Sequence, residues 1–301
     1  SKVLHGDRGA ARQGGVNQRG RHEGHIVEVL ARANRRVVGR FLNEHGIGVV
    51  APEDRRISQD ILIPGGSTRS ATPGQVVVAE IVEQPQRHSR PVGRIVEVLG
   101  NYADPGMEIE IALRKHDLPH EFPVEAEKLA AKFGTKVQAP DASDIADLRT
   151  LPLVTIDGET AKDFDDAVYC EQRAKGYKLW VAIADVSHYV RDGDALDAEA
   201  RLRGNSVYFP RRVIPMLPET LSNGLCSLNP DVDRLCMVCE ADIGAKGEIG
   251  GYKFYRAVIH SKARLTYTRV AEVLADPASA TARALGTLVT SLQSLHALYG
   301  A

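Results

Sequence analysis

Four aspartates stand within ten residues of this chain, in the run TIDGETAKDFDD, and an apolar run follows them directly. They are Asp157, Asp163, Asp165 and Asp166. Carboxylates this close together raise one another's pKa and oppose folding unless a proton or a cation neutralises them. A divalent cation such as Mg²⁺, which prefers oxygen ligands, is one solution, and an acidic loop in contact with solvent is the other. The spacing alone leaves both open, but it does not fit an EF-hand calcium loop, whose glycine and final glutamate are missing from their offsets.

Length and composition restrict the class of protein. A chain of 301 residues is long enough for more than one hydrophobic core, and its 43% apolar and 26% charged residues are ordinary for a water-soluble globular protein. No apolar run is long enough to cross a bilayer, and neither end has a secretory signal. Four cysteines are too few for a disulfide scaffold, so we expect no membrane association and a reducing, cytoplasmic environment.

The charge is divided between regions. Residues 1–40 contain nine Lys or Arg and three Asp or Glu, a net charge of +6, whereas residues 141–200 contain six and fourteen, a net charge of −8. A basic segment suits a phosphate backbone and an acidic segment suits cations. Two solvated surfaces explain the charge alone equally well.

The first part of the chain is patterned as short strands. Apolar or β-branched runs at 22–30, 36–42, 76–83 and 92–99 alternate with turn-rich segments, and GIGVVAPEDRRISQDILIP predicts a hairpin. The segment VGRFLNEHGIGVVAPEDRRISQDILIP resembles the nucleic-acid-binding hairpin of cold-shock domains, which are five-stranded barrels of the oligonucleotide-binding (OB) type. Ile47 and Val49 stand where stacking aromatics are expected, so base stacking here is doubtful. His45, Arg55 and Arg56 either contact phosphates or form a polar hairpin tip.

The pattern then changes. VEAEKLAAKFG predicts a helix ended by Gly134, strands are predicted at 167–172 and 178–186, and helices at about 194–203, 266–276 and 281–299. The predicted fold class is therefore multidomain, with OB/cold-shock β-barrel modules followed by the first half of a mixed α/β domain. The predicted segments are the C-terminal part of a first barrel, a second barrel, a connector and the truncated α/β domain, at 1–34, 35–118, 119–148 and 149–301.

Four longer motifs surround the aspartates. PLVTIDGETAKDFDDAVY, LWVAIADVSHYV, RGNSVYFPRRVIPMLPETLSNGLCSLNPDVDRLCMVCE and GYKFYRAVIHSKARLTYTRV resemble the ribonuclease II and ribonuclease R family, and above all its bacterial ribonuclease R members. The resemblance covers nearly the whole chain. It implies processive 3′-to-5′ hydrolysis of single-stranded or 3′-tailed RNA to nucleoside 5′-monophosphates, by a monomer that does not take DNA.

The resemblance also assigns residues. It makes Asp157, Asp163, Asp165 and Asp166 the catalytic Mg²⁺ ligands, with Asp157 and Asp166 as metal ligands and the other two as ligands or as groups that orient water and substrate. Tyr208, in SVYFP, matches a tyrosine that stacks on RNA bases, and a core-strand aromatic is its alternative role. Tyr267 matches a position that favours RNA over DNA. Arg264 and Arg269 beside it could meet phosphates.

Other candidates are weaker. Asp185 follows an apolar strand and is expected to cap backbone amides. Cys226, Cys236 and Cys239 include a CxxC spacing, but they lie in or near apolar runs and are expected to be buried small hydrophobes rather than zinc ligands. A catalytically inactive RNA-binding relative is the alternative function, against which the four intact aspartates argue.

The resemblance further implies that a catalytic arginine, a second stacking aromatic and a C-terminal RNA-binding barrel lie beyond the point matching Ala301. The chain opens at Ser1 without an initiating methionine and stops directly after a helical pattern. We therefore expect a fragment that is inactive or poorly folded by itself.

Overall fold

The computed structural model describes residues 2–16, 18–137 and 144–301. Contacts divide the chain into two compact units, Ser1–His120 and Glu121–Ala301. The described ranges hold no helix with the length and apolar character needed to span a membrane. The finer division into four segments stays a prediction, and the polar stretch of the connector falls partly on residues 138–143, outside the described ranges.

The first unit contains a hairpin and a closed five-stranded barrel. The hairpin is β1 (Arg8–Val16) and β2 (His22–Ala31). The barrel closes in the order β3-β4-β5-β7-β6. Its strands are β3 (Arg36–Glu44), β4 (Ile47–Pro52), β5 (Ile61–Ile63), β6 (Gln75–Glu83) and β7 (Val92–Asn101). The predicted strands and hairpin are confirmed, because alternating apolar residues turn to one face of each strand and fill the barrel. A 3₁₀ turn, Gly65–Ser67, and α1 (Met107–Lys115) complete the unit.

The tip of the barrel hairpin offers no aromatic side chain at positions 47 and 49 on which a base could stack. Val49 is buried, whereas Ile47 is exposed but aliphatic. His45 adopts φ 54° before Gly46 at φ 86°, so both residues of the turn are left-handed, as a tight hairpin with right-handed strand twist requires. Arg56 forms an ion pair with Asp54 at 2.7 Å. The guanidinium of Arg56 is thus already paired within the hairpin.

The second unit is built on a seven-stranded mixed sheet in the order β16-β9-β10-β11-β14-β15-β8. The strands are β8 (Ala146–Asp147), β9 (Val154–Asp157), β10 (Asp166–Arg173), β11 (Gly176–Ala184), β14 (Asp233–Gly244), β15 (Ile249–His260) and β16 (Ala263–Thr266). A separate hairpin is formed by β12 (Val207–Phe209) and β13 (Arg212–Ile214). The helices are α2 (Val124–Lys132), α3 (Val186–Tyr189), α4 (Ala195–Arg203), α5 (Tyr267–Ala275), α6 (Ala280–Leu285) and α7 (Leu288–Gly300), with a π-helix at Thr220–Leu225.

Most predicted elements of this unit are confirmed, with one correction. The helix predicted over 281–299 is two helices, α6 and α7, because Gly286 adopts φ 55° between them and interrupts the backbone hydrogen bonding. The long antiparallel pair β14–β15 had no predicted counterpart. The two strands are only partly buried along their length, which weakens the alternation of apolar and polar residues that predicts a strand.

Helices cover both faces of the sheet. Trp180, Ala182 and Ala184 alternate along β11 and are buried in one core together with Ala126 and Ala130 of α2. A second cluster lies beneath α5, α6 and α7 and includes Val154, Leu265, Val273, Ala282 and Leu292. Side chains that alternate across a strand supply both cores, so the sheet is a rigid base for the loops at its strand ends. The predicted fold class, barrel module followed by mixed α/β domain, is confirmed.

Candidate active site

The aspartate loop, residues 157–166, joins two neighbouring strands at the same end of the sheet. Asp157 is the last residue of β9 and Asp166 is the first residue of β10, and the two strands pair antiparallel through Val154 and Val168. Strand β16 runs parallel to β9 on its other side, with Thr266 opposite Asp157. The strand ends therefore hold both ends of the loop in place.

Phe164 anchors the middle of the loop. Its side chain is 2% exposed, although it stands between two aspartates. Its backbone N–H donates to Ser227 Oγ at 3.0 Å, and its carbonyl accepts from the Leu228 N–H at 2.6 Å. Burial of the ring plus two backbone hydrogen bonds fixes the directions in which Asp163 and Asp165 leave the chain.

Arg264 supports the same loop from β16. Its Nη2 donates to the Ala161 carbonyl at 2.8 Å, and its guanidinium lies 3.9 Å from the centre of the Phe164 ring. Arg264 thus contacts the loop itself, and its contact with phosphate, like that of Arg269, stays a prediction. No feature of the local sequence distinguishes these two uses of an arginine.

The two predicted RNA-contacting tyrosines are both exposed. Tyr208 is 52% exposed on β12, so its alternative role as a core aromatic is wrong. Its hydroxyl donates to Asp163 Oδ1 at 2.6 Å, which brings the β12–β13 hairpin to the aspartate loop. Tyr267 is 62% exposed at the first residue of α5, next to the Thr266 that pairs with Asp157. Their contacts with RNA stay predictions.

Burial and mutual repulsion raise the pKa values of two aspartates in the loop. Burial, followed by the charges of Asp163 and Asp157, raises the pKa of Asp165 above its ordinary range. Burial and the charges of Asp165 and Asp157 raise the pKa of Asp166. Burial, the hydrogen bond to Asp163 and the neighbouring carboxylates raise the pKa of Tyr208 to about 12. The tyrosine is therefore a neutral hydrogen-bond donor at physiological pH.

The described residues supply the aspartates with no cationic partner. In the described parts of the chain, none of the four aspartates forms an ion pair with a lysine or arginine. Their oxygens suit a hard divalent cation, and the raised pKa values of Asp165 and Asp166 show a repulsion that such a cation would relieve. Across the described residues, however, no three His, Cys, Asp or Glu side chains converge into a metal-ligand group. The donor chemistry fits Mg²⁺.

A partly apolar cavity of about 230 Å³ opens beside the loop. Its walls carry Asp163 and Asp165 together with the apolar side chains of Val186, Met216 and Leu217. A cavity that combines carboxylates with apolar surface has room for a small organic group next to a bound cation.

Asp185 does not cap the helix that follows it. Its carboxylate accepts from Ser187 Oγ at 2.6 Å and from Arg256 Nε at 3.1 Å, and no backbone amide of α3 donates to it. The expected capping role is wrong, because a cation on β15, which lies beyond β14 in the sheet, offers a stronger, charge-assisted partner. Burial opposes this, but the two contacts still lower the pKa of Asp185.

The cysteines do not share a site. Cys226 and Cys236 are buried in the main core, as expected, and Cys239 is half-buried. Cys236 and Cys239 are three residues apart on β14, and an odd separation places their side chains on opposite faces of the sheet. The CxxC spacing is therefore a coincidence of the strand.

Two family models match the chain. The RNB domain model covers residues 145–301, and the cold shock domain model covers residues 50–123. Ribonuclease R of Acidithiobacillus ferrooxidans is 50% identical over 300 residues, which are 99% of this chain and 68% of that protein. The chain belongs to the ribonuclease R family.

The family's other members extend the comparison. Ribonuclease R of Vibrio cholerae is 52% identical over 298 residues, and the chain spans only 36% of that relative's length. Among solved structures, Mycoplasma genitalium RNase R in complex with ribose-methylated single-stranded RNA superposes with a TM-score of 0.86 at 29% identity. That match covers 99% of this chain and 47% of the Mycoplasma chain. The aspartate loop lies within the matched RNB region.

Sequence reasoning missed the residues that hold the loop. Phe164 was recognisable as an apolar residue between aspartates, a local signal of anchoring. Ser227 lies 63 residues from Phe164 and carries no such signal. Its contribution depends on where the chain folds back.

Proposed function

We propose that this ribonuclease R-family protein is a processive 3′-to-5′ exoribonuclease that hydrolyses RNA with Mg²⁺ and releases nucleoside 5′-monophosphates. The observation that carries the proposal is the aspartate loop, a rigidly anchored group of carboxylates that receives no protein cation and lies beside two exposed tyrosines. The identity of about 50% to ribonuclease R proteins supports it.

Asp157, Asp163, Asp165 and Asp166 are the residues that would hold the metal. When bound, Mg²⁺ supplies positive charge that lowers the pKa of a water nucleophile and stabilises the departing oxygen of a phosphodiester. The chain itself orients these groups: Phe164 and Arg264 fix the loop, and the Tyr208 hydroxyl holds one oxygen of Asp163. The cavity beside Asp163 and Asp165 offers apolar surface that separates the reacting group from bulk water.

The proposed substrate is single-stranded or 3′-tailed RNA. The Mycoplasma relative was solved with single-stranded RNA, and the exposed rings of Tyr208 and Tyr267 are suitable platforms for unpaired bases of any sequence. Exclusion of DNA, a monomeric state and a cytoplasmic location stay predictions. The chain spans 36% of its Vibrio relative, so the activity is proposed for the complete protein rather than for these residues alone.

A single substitution tests the proposal. In the complete protein, Asp165→Asn keeps the size of the side chain and removes one anionic ligand, so we expect release of mononucleotides from labelled single-stranded RNA to fall by roughly 10³-fold. RNA affinity measured in chelator should change by less than about threefold, because the Asp165 carboxylate is not itself a phosphate contact. Asp192→Asn is the matched control, since the Asp192 side chain is 92% exposed and pairs only with Arg201.

The outcomes separate the two functions under consideration. Mg²⁺-dependent turnover that Asp165→Asn abolishes and Asp192→Asn leaves intact supports the exoribonuclease. RNA binding by the unmodified complete protein without any turnover identifies an inactive RNA-binding relative instead. Unchanged turnover in Asp165→Asn removes that residue from the catalytic set.

A further inference from the structure

A second, larger cavity lies on the other side of Tyr208, and its volume is about 550 Å³. One wall is the aspartate loop at Glu159, Thr160 and Lys162, and the other wall is the β12–β13 hairpin from Tyr208 to Val213. Tyr208 is thus shared between this cavity and the hydrogen bond to Asp163. The cavity is therefore adjacent to the aspartate site.

The charge of this cavity is opposite to that of its surroundings. Its lining contains the three cations Lys162, Arg211 and Arg212 and the single carboxylate Glu159, a net charge of +2. The segment 141–200, which supplies the aspartate loop, has a net charge of −8. The average charge of this segment therefore does not predict a positively charged cavity wall next to the aspartates.

Two of the three cations of this cavity form no ion pair with the aspartates in the described parts of the chain. Lys162 and Arg211 are both exposed, and neither forms an ion pair with a carboxylate in the described ranges. Arg211 stands in the two-residue turn of the hairpin, since Phe209 and Arg212 pair directly across it. Glu159, the carboxylate of the lining, accepts hydrogen bonds from Thr268 and Thr266. The two cations remain available to a ligand.

We propose that this basic cavity holds the phosphodiester backbone of the RNA strand that leads into the aspartate site, with Lys162 and Arg211 as phosphate contacts. The proposal rests on the exoribonuclease function and adds to it the residues that position the strand. Lysine and arginine on exposed walls contact phosphates without reading bases, which suits a processive enzyme that takes any sequence. Tyr208 links the two sites, because it lines this cavity and its hydroxyl donates to Asp163.

The test compares two double variants of equal charge loss. Lys162→Ala with Arg211→Ala removes both contacts, and Lys175→Ala with Lys246→Ala removes two exposed lysines at the β10–β11 and β14–β15 turns. The Lys175 turn lies at the opposite end of β10 from Asp166. Affinity for fluorescently labelled oligo(U) and oligo(A) is measured by anisotropy with the complete protein, in chelator, over a range of salt concentrations.

We expect the cavity variant to bind both RNAs about tenfold more weakly at 100 mM salt, by the same factor. Each lost phosphate contact should reduce the slope of log K against log salt by about 0.7, and so by about 1.4 in total. The control variant should stay within about twofold of the unmodified chain with an unchanged slope. The exchange Lys162→Arg with Arg211→Lys retains both charges and should restore the slope.

Several results would overturn the proposal: an equal loss in both Ala variants, a loss for only one RNA, an unchanged salt slope, or no RNA binding by the unmodified complete protein. In the complete protein, the cavity variant should raise KM with kcat nearly unchanged, because the contact binds substrate and transition state alike. An unmodified protein without turnover, combined with the expected loss of binding, rejects the exoribonuclease function and leaves the cavity assignment standing. Turnover with an unchanged KM in the variant rejects the cavity alone.

Discussion

The Glu240 carboxylate and the aspartate loop belong to the same sheet but have opposite electrostatic environments. Glu240, on β14, receives Lys178 Nζ at 2.6 Å, Lys253 Nζ at 3.1 Å and the Tyr255 hydroxyl at 2.6 Å. Burial opposes ionisation, but these contacts outweigh it and lower the pKa of Glu240 to about 2. In the aspartate loop, burial and repulsion act in the same direction and raise the pKa of Asp165.

The contrast shows that this fold can neutralise a buried carboxylate, Glu240, with lysines from the neighbouring strands. The network around Glu240 combines residues of three adjacent strands, with Trp180, Glu240 and Lys253 in register across the sheet. The aspartate loop has cations close by, Lys162 in sequence and Arg264 in space, yet Lys162 lines a separate cavity and Arg264 binds a backbone carbonyl. Repulsion within the loop is thus retained, as expected of a site that takes its positive charge from outside.

The largest predicted effect on stability concerns the neutralised group. Glu240→Gln should reduce the free energy of unfolding by about 2 kcal/mol at pH 7, because it leaves the partly buried Lys178 with only the more distant Asp242, at 4.0 Å, as an anionic partner. Urea denaturation measures the change. Glu171→Gln, at an exposed pair with Arg173, should cost less than about 0.5 kcal/mol. Equal costs at both positions would remove the distinction between the two environments.

The pH dependence at Glu240 has a definite sign. Its folded-state pKa of about 2 lies below the ordinary value of 4.5, so its contribution is fully present above pH 4.5 and is lost as the pH falls from there towards 2. The difference between the unmodified chain and Glu240→Gln should therefore shrink over that interval.

An added divalent cation provides the next test, of intermediate size. If the aspartate loop binds Mg²⁺, a concentration of ten times the Kd should stabilise the folded chain by about 1.4 kcal/mol. Thermal unfolding at constant ionic strength measures the gain, and Asp165→Asn should lose most of it. Glu171→Gln serves as the control and should keep it. Equal gains in all three chains would place the cation elsewhere.

The smallest effect comes from repulsion within the loop. In chelator at pH 7, Asp166→Asn should increase the free energy of unfolding by less than about 1 kcal/mol, since it removes one of the mutually repelling charges and the site is partly screened by solvent. The folded-state pKa of Asp166 lies above its ordinary value of 3.8, so its destabilising contribution develops as the pH rises above 3.8. Urea unfolding at pH 3 should show no gain, and a loss of stability at pH 7 would contradict the repulsion.

The sequence predicted the local features of this protein. Alternating apolar residues predicted the strands of the barrel, and the run from Asp157 to Asp166 predicted a crowded carboxylate loop at the start of β10. The helix 281–299 was wrong because the effect of one glycine, Gly286, depends on the backbone angle that it adopts. Asp185 was wrong because its partner, Arg256, lies 71 residues further along the chain.

By itself, then, the sequence determined that four carboxylates stand together beside a strand, and its longer motifs determined the family. Only the tertiary structure decided how the loop is held and what surrounds it. Tyr208 reaches Asp163 across 45 residues, Ser227 anchors Phe164, and Arg264 donates to the Ala161 carbonyl in the loop. The physical reason is that spacing along the chain controls which groups share a strand or turn, whereas contacts between distant residues exist only once the strands have paired.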